Sequence, residues 1–227
     1  MKFLKAGDSS LVIELGNEIF PIINFKLKKI TEFLDNANIK GIKDLLPTYR
    51  SIIVYYNPLI VSFEEIKEIV EINCNFEHEN TENIEKEIVE IPVVYGGEYG
   101  PDLENIAAHN NLTTEEVIKI HTSGEYLVYM LGFTPGFPYL GGMDKKIATP
   151  RLKEPRTKIP AGSVGIAGEQ TGVYPIESPG GWQLLGRSPL DFFNPNSEKP
   201  FLLKAGQYIK FVAITEEEYL KLKGKEA

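Results

Sequence analysis

Gly132-Phe133-Thr134-Pro135-Gly136-Phe137-Pro138-Tyr139-Leu140-Gly141-Gly142-Met143 opens the segment that decides how this chain folds. A basic stretch from Lys145 to Lys158 follows. Then come Pro160-Ala161-Gly162-Ser163-Val164-Gly165-Ile166-Ala167-Gly168-Glu169-Gln170-Thr171-Gly172 and Ser178-Pro179-Gly180-Gly181-Trp182-Gln183-Leu184-Leu185-Gly186-Arg187. Glycine admits backbone conformations closed to other residues, and proline fixes φ while removing a donor. A segment rich in both, yet carrying Phe, Tyr and Trp, predicts short strands joined by ordered loops, where binding sites usually lie.

Outward from this segment the composition is uneven. Residues 1–90 hold 6 of the 35 Gly and Pro residues, and residues 91–227 hold the other 29. The first region carries 10 basic and 16 acidic residues, the second 14 and 16. Two domains of different architecture, 1–90 and 91–227, are the simplest account, and 227 residues suffice for two small domains with cores of their own.

The first region alternates strand and helix. Ser10 to Leu15 is a short apolar run; Ile23, Leu27, Ile30, Phe33 and Leu34 recur at helical spacing; Ser51 to Tyr56 is β-branched and aromatic. Ser62 and Glu65 form a capping box before a second helix that buries Ile66, Ile69 and Val70, and Glu87 to Tyr95 reads as a further strand. This predicts a small α/β sandwich of roughly ferredoxin-like order. An acidic stretch over residues 77–90 reads as a solvated connector. In the second region a pair of short helices, Asp102 to Asn110 and Thr113 to His121, precedes an apolar strand over Glu125 to Phe133. Gln207 to Ile214 is a last strand and Glu216 to Lys223 a short amphipathic tail. Short strands, few helices and many Gly/Pro turns imply a β-barrel-like domain, so the fold class is α+β.

The single cysteine, Cys74, rules out an intrachain disulfide and fits a reducing compartment; it reads as a nucleophile or, more simply, as a small buried residue at a helix end. The first residues hold no long apolar run, so neither signal peptide nor anchor is expected and the location is read as cytoplasmic. A net charge of −8 argues against general binding to nucleic acid or anionic membrane. A P-loop, a Gly-x-Ser-x-Gly elbow and metal-ligand spacing among His78, His109 and His121 are all missing from the sequence, so no metal site is expected.

What remains is a polar set around glycine-rich loops. Lys145, Lys146, Arg151, Lys153, Arg156 and Lys158 place six cations in fourteen residues against one acid, Glu154. Arginine offers a planar fork for carboxylate or phosphate, and Arg156, which leads into Lys158-Ile159-Pro160-Ala161-Gly162, is the foremost candidate; the lysines read as solvated. His121 ends a helix, where the dipole favours a cation, or else faces a pocket mouth. Gln170, Tyr174, Ser178 and Gln183 could point polar groups into a groove. Trp182, like Phe133, Phe137 and Tyr139, is a core anchor or a pocket wall. Amides of Gly162, Gly165 and Gly168 could form an anion nest.

Three blocks together resemble the KipI / allophanate hydrolase subunit 1 family: Gly132 to Gly142, Pro155 to Gly168, and Ser178 to Arg187. The resemblance runs the length of the chain and is most specific between residues 120 and 190. It implies a cyclophilin-like β-barrel for the second domain, a likeness of fold only. It also implies the role of the B subunit in a bacterial ATP-dependent 5-oxoprolinase, which works with the A and C subunits to open 5-oxo-L-proline to L-glutamate. ATP, with Mg, would be shared with a partner subunit, and the chain would be inactive alone. On this footing His121, Arg156 and Lys158 are candidates for the chemistry. Arg156, Ser163, Gln170, Tyr174, Trp182 and Arg187 are candidates for substrate binding. An alternative within the family is an inhibitor of a sporulation histidine kinase, binding its dimerisation helices; half of a carboxyltransferase using carboxybiotin ranks behind both.

Overall fold

In the computed structural model of the chain, residues 1–16, 21–74 and 86–224 are described. His78 and residues 77–85 of the expected connector lie outside them. The chain divides into two compact units, Met1–Glu85 and Lys86–Ala227.

The first unit orders β1 (Lys2–Lys5), β2 (Ser10–Glu14), α1 (Pro21–Asn36), β3 (Ile42–Pro47), β4 (Ser51–Tyr56) and α2 (Phe63–Asn73). Its strands form an antiparallel sheet in the order β1-β2-β4-β3. Period-two alternation puts Leu11 and Ile13 of β2 opposite Val54 and Ile52 of β4, on one buried face. Against that face pack Leu27, Ile30 and Leu34 of α1 and Ile66 and Val70 of α2. Each such side chain stabilises the fold by roughly 1.5–3 kcal/mol when fully buried. The capping box at Ser62 forms as the sequence predicts, with Glu65 N donating to Ser62 Oγ and Ser62 N to Glu65 Oε2. Cys74 closes this core; burial pushes its thiol up, which disfavours the thiolate a nucleophile needs.

The strand expected to end the first domain is β5 (Ile88–Tyr95), and all its partners lie in the second unit. That unit continues with α3 (Leu103–Asn110), α4 (Thr114–Ser123), β6 (Tyr126–Leu131), β7 (Pro138–Gly141), a 3-10 turn at Lys145–Ile147 and β8 (Arg156–Ile159). Then follow β9 (Ser163–Ala167), β10 (Gln170–Val173), β11 (Ser178–Gly180), β12 (Gln183–Arg187), β13 (Tyr208–Ala213) and α5 (Glu216–Lys223). Seven strands form one sheet in the order β10-β9-β12-β5-β13-β6-β7. Only β13 and β5 run parallel. The edge strands β7 and β10 pack on one another, so the sheet curls into a nearly closed barrel. β8 and β11 form a separate ribbon.

The barrel is filled by Ile91, Val93, Val128, Val164, Ile166, Val173, Leu185, Ile209 and Phe211, and α3 and α4 cover it with Leu103, Ile106 and Val117. The expected tail is the helix α5, opened by a capping box at Thr215 and Glu218, with Tyr219 buried against Tyr99. The apolar strand after Gly124 stops at Leu131, two residues short of its expected end. There the chain turns, with Gly132 N donating to Phe137 O, and Phe133 adopts a φ of 62°.

Candidate functional site

The β6–β7 loop, the end of β10 and the β11–β12 turn converge on one cavity of the second unit, of about 210 Å³. Its walls are aromatic. Phe137 is the hub and meets Phe133, Tyr139, Tyr174 and Trp182 edge-to-face, at centroid distances of 5.7, 5.4, 5.7 and 5.6 Å. Gln170, Arg151, Pro179, Gly180 and Gly181 complete the lining. Phe137, Tyr174 and Trp182 are buried, whereas Phe133 stands at the rim, 70% exposed, in the left-handed region that a bulky side chain rarely adopts. Gly180 is required by its contact: a Cβ there would lie 2.4 Å from Tyr174 Oη. Burial pushes the Tyr174 phenol up to about 12, so it stays neutral at pH 7; a hydrogen bond with the Trp182 backbone and the charges of Arg151 and Arg156 pull the other way.

Arg156 is held beneath this wall. Its Nη2 donates to Asp102 Oδ1 at 2.8 Å and its Nη1 to the carbonyl of Trp182 at 3.4 Å. Asp102 is 3% exposed, and its Oδ2 accepts from Leu184 N at 2.7 Å. One carboxylate thus ties the start of α3 to both ends of the Trp182–Leu184 turn. The sequence signals Asp102 only as the start of a helix. Its side chain makes no capping bond there, because both oxygens are turned to the ion pair and to β12.

Of the residues singled out from sequence, Gln170, Tyr174 and Trp182 come together on the cavity, with Phe133, Phe137 and Tyr139. Arg156 reaches it only through the Trp182 carbonyl. Lys158 pairs with Glu177 at 2.9 Å on the surface, and Lys145 with Glu169 at 3.1 Å. Ser163 is wholly buried in β9, and among the described residues its Oγ has no hydrogen-bond partner. Arg187 lays its guanidinium over Tyr99, 5.5 Å from the ring centroid. The amides of Gly162 and Gly168 donate to the carbonyls of Tyr174 and Thr149, and Gly165 sits inside the β9 ladder, so the three form no anion nest.

His121 is a core residue, not a pocket-mouth one. It is fully buried, stacked on Phe211 at 4.4 Å, with Nε2 2.9 Å from Thr171 Oγ1 and Nδ1 2.8 Å from Tyr95 Oη. The Thr171 hydroxyl donates to the carbonyl of Gly165, so it accepts from Nε2–H, and Nδ1 accepts from the Tyr95 phenol. Burial lowers the imidazole to about 3 and keeps it neutral. In the first unit a wider groove lies between α1 and β3, lined by charges of both signs, Asp35, Lys40, Lys43 and Asp44 among them.

The second unit of this α+β chain is a nearly closed barrel that carries an aromatic-walled cavity. The family model for the carboxyltransferase domain, subdomains C and D, matches residues 1–203, and the chain belongs to that family. It is 49% identical over 223 residues to the 5-oxoprolinase B subunit of Bacillus subtilis (strain 168), covering 94% of this chain and 92% of that one. To the 5-oxoprolinase B subunit of Escherichia coli O157:H7 it is 39% identical over 207 residues, covering 91% and 93%. Among solved structures, the conserved uncharacterized protein PH0987 from Pyrococcus horikoshii is 47% identical, with a TM-score of 0.58, over 96% of this chain and 100% of that one. The resemblance carried by the three Gly/Pro-rich blocks is borne out. Among the described residues no helix is long and apolar enough to cross a membrane.

Proposed function

We propose that this chain is the B subunit of a cytoplasmic ATP-dependent 5-oxoprolinase, acting with the A and C subunits and inactive alone. The carrying observation is its 49% identity to a subunit of that name along nearly the whole of both chains. The kinase-inhibitor alternative is not favoured by these relatives. We read the first unit as a ferredoxin-like arrangement in which the N-terminal strand β1 takes the edge beside β2.

The cavity of the second unit suits the substrate. Its volume equals about seven water molecules at roughly 30 Å³ each, room for one five-membered lactam ring with its carboxylate. The flat ring would lie among Phe137, Tyr174 and Trp182, and the neutral Tyr174 phenol and Gln170 would orient it. Holding the lactam among these aromatic walls lowers the entropy cost of bringing it to reaction. Mg-ATP is several times larger than this cavity, in keeping with a nucleotide shared with a partner subunit. This chain is therefore assigned the substrate's positioning, and Arg156 acts on it through Trp182.

The test is co-expression with the cognate A and C subunits, followed by 5-oxoproline-dependent ATP hydrolysis and glutamate release. Turnover that requires this chain is the expected result. Well-folded partners that turn over without it, or a complex that turns over nothing, sink the reading.

A further inference from the structure

Two arginines of one basic segment lie near the cavity, and the structure gives them opposite surroundings. Arg156 is committed. Its fork is spent on the buried Asp102 carboxylate and the Trp182 carbonyl, so its charge is already balanced. Arg151 is exposed, lines the cavity beside Tyr174, and among the described residues has no carboxylate within ion-pair distance. It is the one cation of the lining, set where aromatic wall gives way to solvent. A small ring acid entering this cavity buries its ring against Phe137 and Trp182 and leaves its carboxylate at the mouth. There a guanidinium can take both oxygens through two parallel N–H···O bonds.

We propose that Arg151 is the anchor for the carboxylate of a small ring acid bound in this cavity, the acid being 5-oxo-L-proline if the oxoprolinase reading above is right. Arg156 and Asp102 are the positioning pair that sets the Trp182 wall. Recognition of the acid then needs one fork at the rim, and the aromatic walls with Gln170 are left to hold the ring.

Trp182 is the only tryptophan of the chain and lies in the cavity wall, so its fluorescence reports occupancy without any need for turnover. The full chain is titrated with three probes: 5-oxo-L-proline, tetrahydrofuran-2-carboxylate, which keeps the ring acid without the lactam, and 2-pyrrolidinone, which keeps the lactam without the acid. The expected result is a saturable change with 5-oxo-L-proline that weakens at least tenfold in Arg151→Gln and less in Arg151→Lys. Lys153→Gln, which removes a charge from the same segment, should bind as the wild type does. 2-Pyrrolidinone should bind the wild type and Arg151→Gln alike, an equality that damage to the cavity would not preserve. Equal affinity of wild type and Arg151→Gln for the acids overturns the proposal, as does equal weakening in Lys153→Gln or the absence of any response to both acids. Arg151-dependent binding of tetrahydrofuran-2-carboxylate without any response to 5-oxo-L-proline keeps the anchor and removes the oxoprolinase reading.

Discussion

Asp102 and His121 show how single buried groups constrain the second unit. Asp102 is nearly inaccessible, and the guanidinium of Arg156 balances its charge. Removing one partner leaves a buried carboxylate uncompensated, which is more damaging than losing an exposed pair. Arg156→Ala should therefore destabilise the chain by about 3 kcal/mol, the low end for a buried pair because Arg156 is partly exposed. Chemical denaturation measures it, and a loss below about 0.5 kcal/mol would show the pair to be no more than a surface contact.

His121 gives a pH dependence whose sign follows from burial. Its folded value is lowered to about 3 from an ordinary 6.5, so between those limits the unfolded chain binds a proton that the folded chain refuses. Its contribution is present above pH 6.5 and is lost as pH falls towards 3, at up to about 1.4 kcal/mol per pH unit. His121→Phe should unfold more easily at pH 7, having lost the bonds to Tyr95 and Thr171. Its stability should also fall less steeply than that of the wild type between pH 6 and 4 in urea titrations at each pH. Parallel slopes would mean that the imidazole takes up its proton in the folded state. The sequence could place His121 at a helix end but could not say which way that end faces. The helix dipole argued for a cation, and desolvation under the barrel sheet outweighs it.

Among elements, the glycine-rich ribbon and turn around Gly180 do what strands with side chains could not. Tyr174 Oη occupies the space a Cβ at Gly180 would need, with Ile159 Cδ1 beside it at 2.9 Å. Gly180→Ala should displace the Tyr174 ring, cost about 1–3 kcal/mol through overpacking, and weaken binding of 5-oxo-L-proline as followed by Trp182 fluorescence. Unchanged binding would show the ring can move without narrowing the cavity. Elements with a strong local signature were legible: α1 from its apolar period, α2 from the capping box at Ser62, β4 from its β-branched run. β1 and β3 were not. Lys2–Lys5 and Ile42–Pro47 are half-exposed and have little apolar alternation, so their strand character comes from pairing with β2 and β4. In the Gly/Pro-rich region the aromatic residues were legible as a group. The choice between Arg151 and Arg156 was not, because it depends on an acid 54 residues away in sequence.

On the scale of the whole molecule, each unit owns its core. Leu11, Ile52 and Ile66 belong to one cluster, Ile91, Val128 and Phe211 to another. Residues 86–227 expressed alone should therefore fold cooperatively and keep the near-ultraviolet signal of Trp182; a non-cooperative melt would show that the second unit leans on the first.

The parallel pairing of β5 with β13 bears on how the chain is made. The two strands lie about 120 residues apart, and β13 stands between β5 and β6 in the sheet. At roughly 5–20 residues per second, a ribosome delivers β13 about 6–24 s after β5 has emerged. Through that interval the nascent chain carries an apolar strand, with Val89, Ile91 and Val93 along it, whose neighbour on one side does not yet exist. Translation that stalls before Tyr208 leaves no smaller barrel: β6 and β7 lose their hydrogen-bonded link to β5 and keep only the packing of β7 on β10.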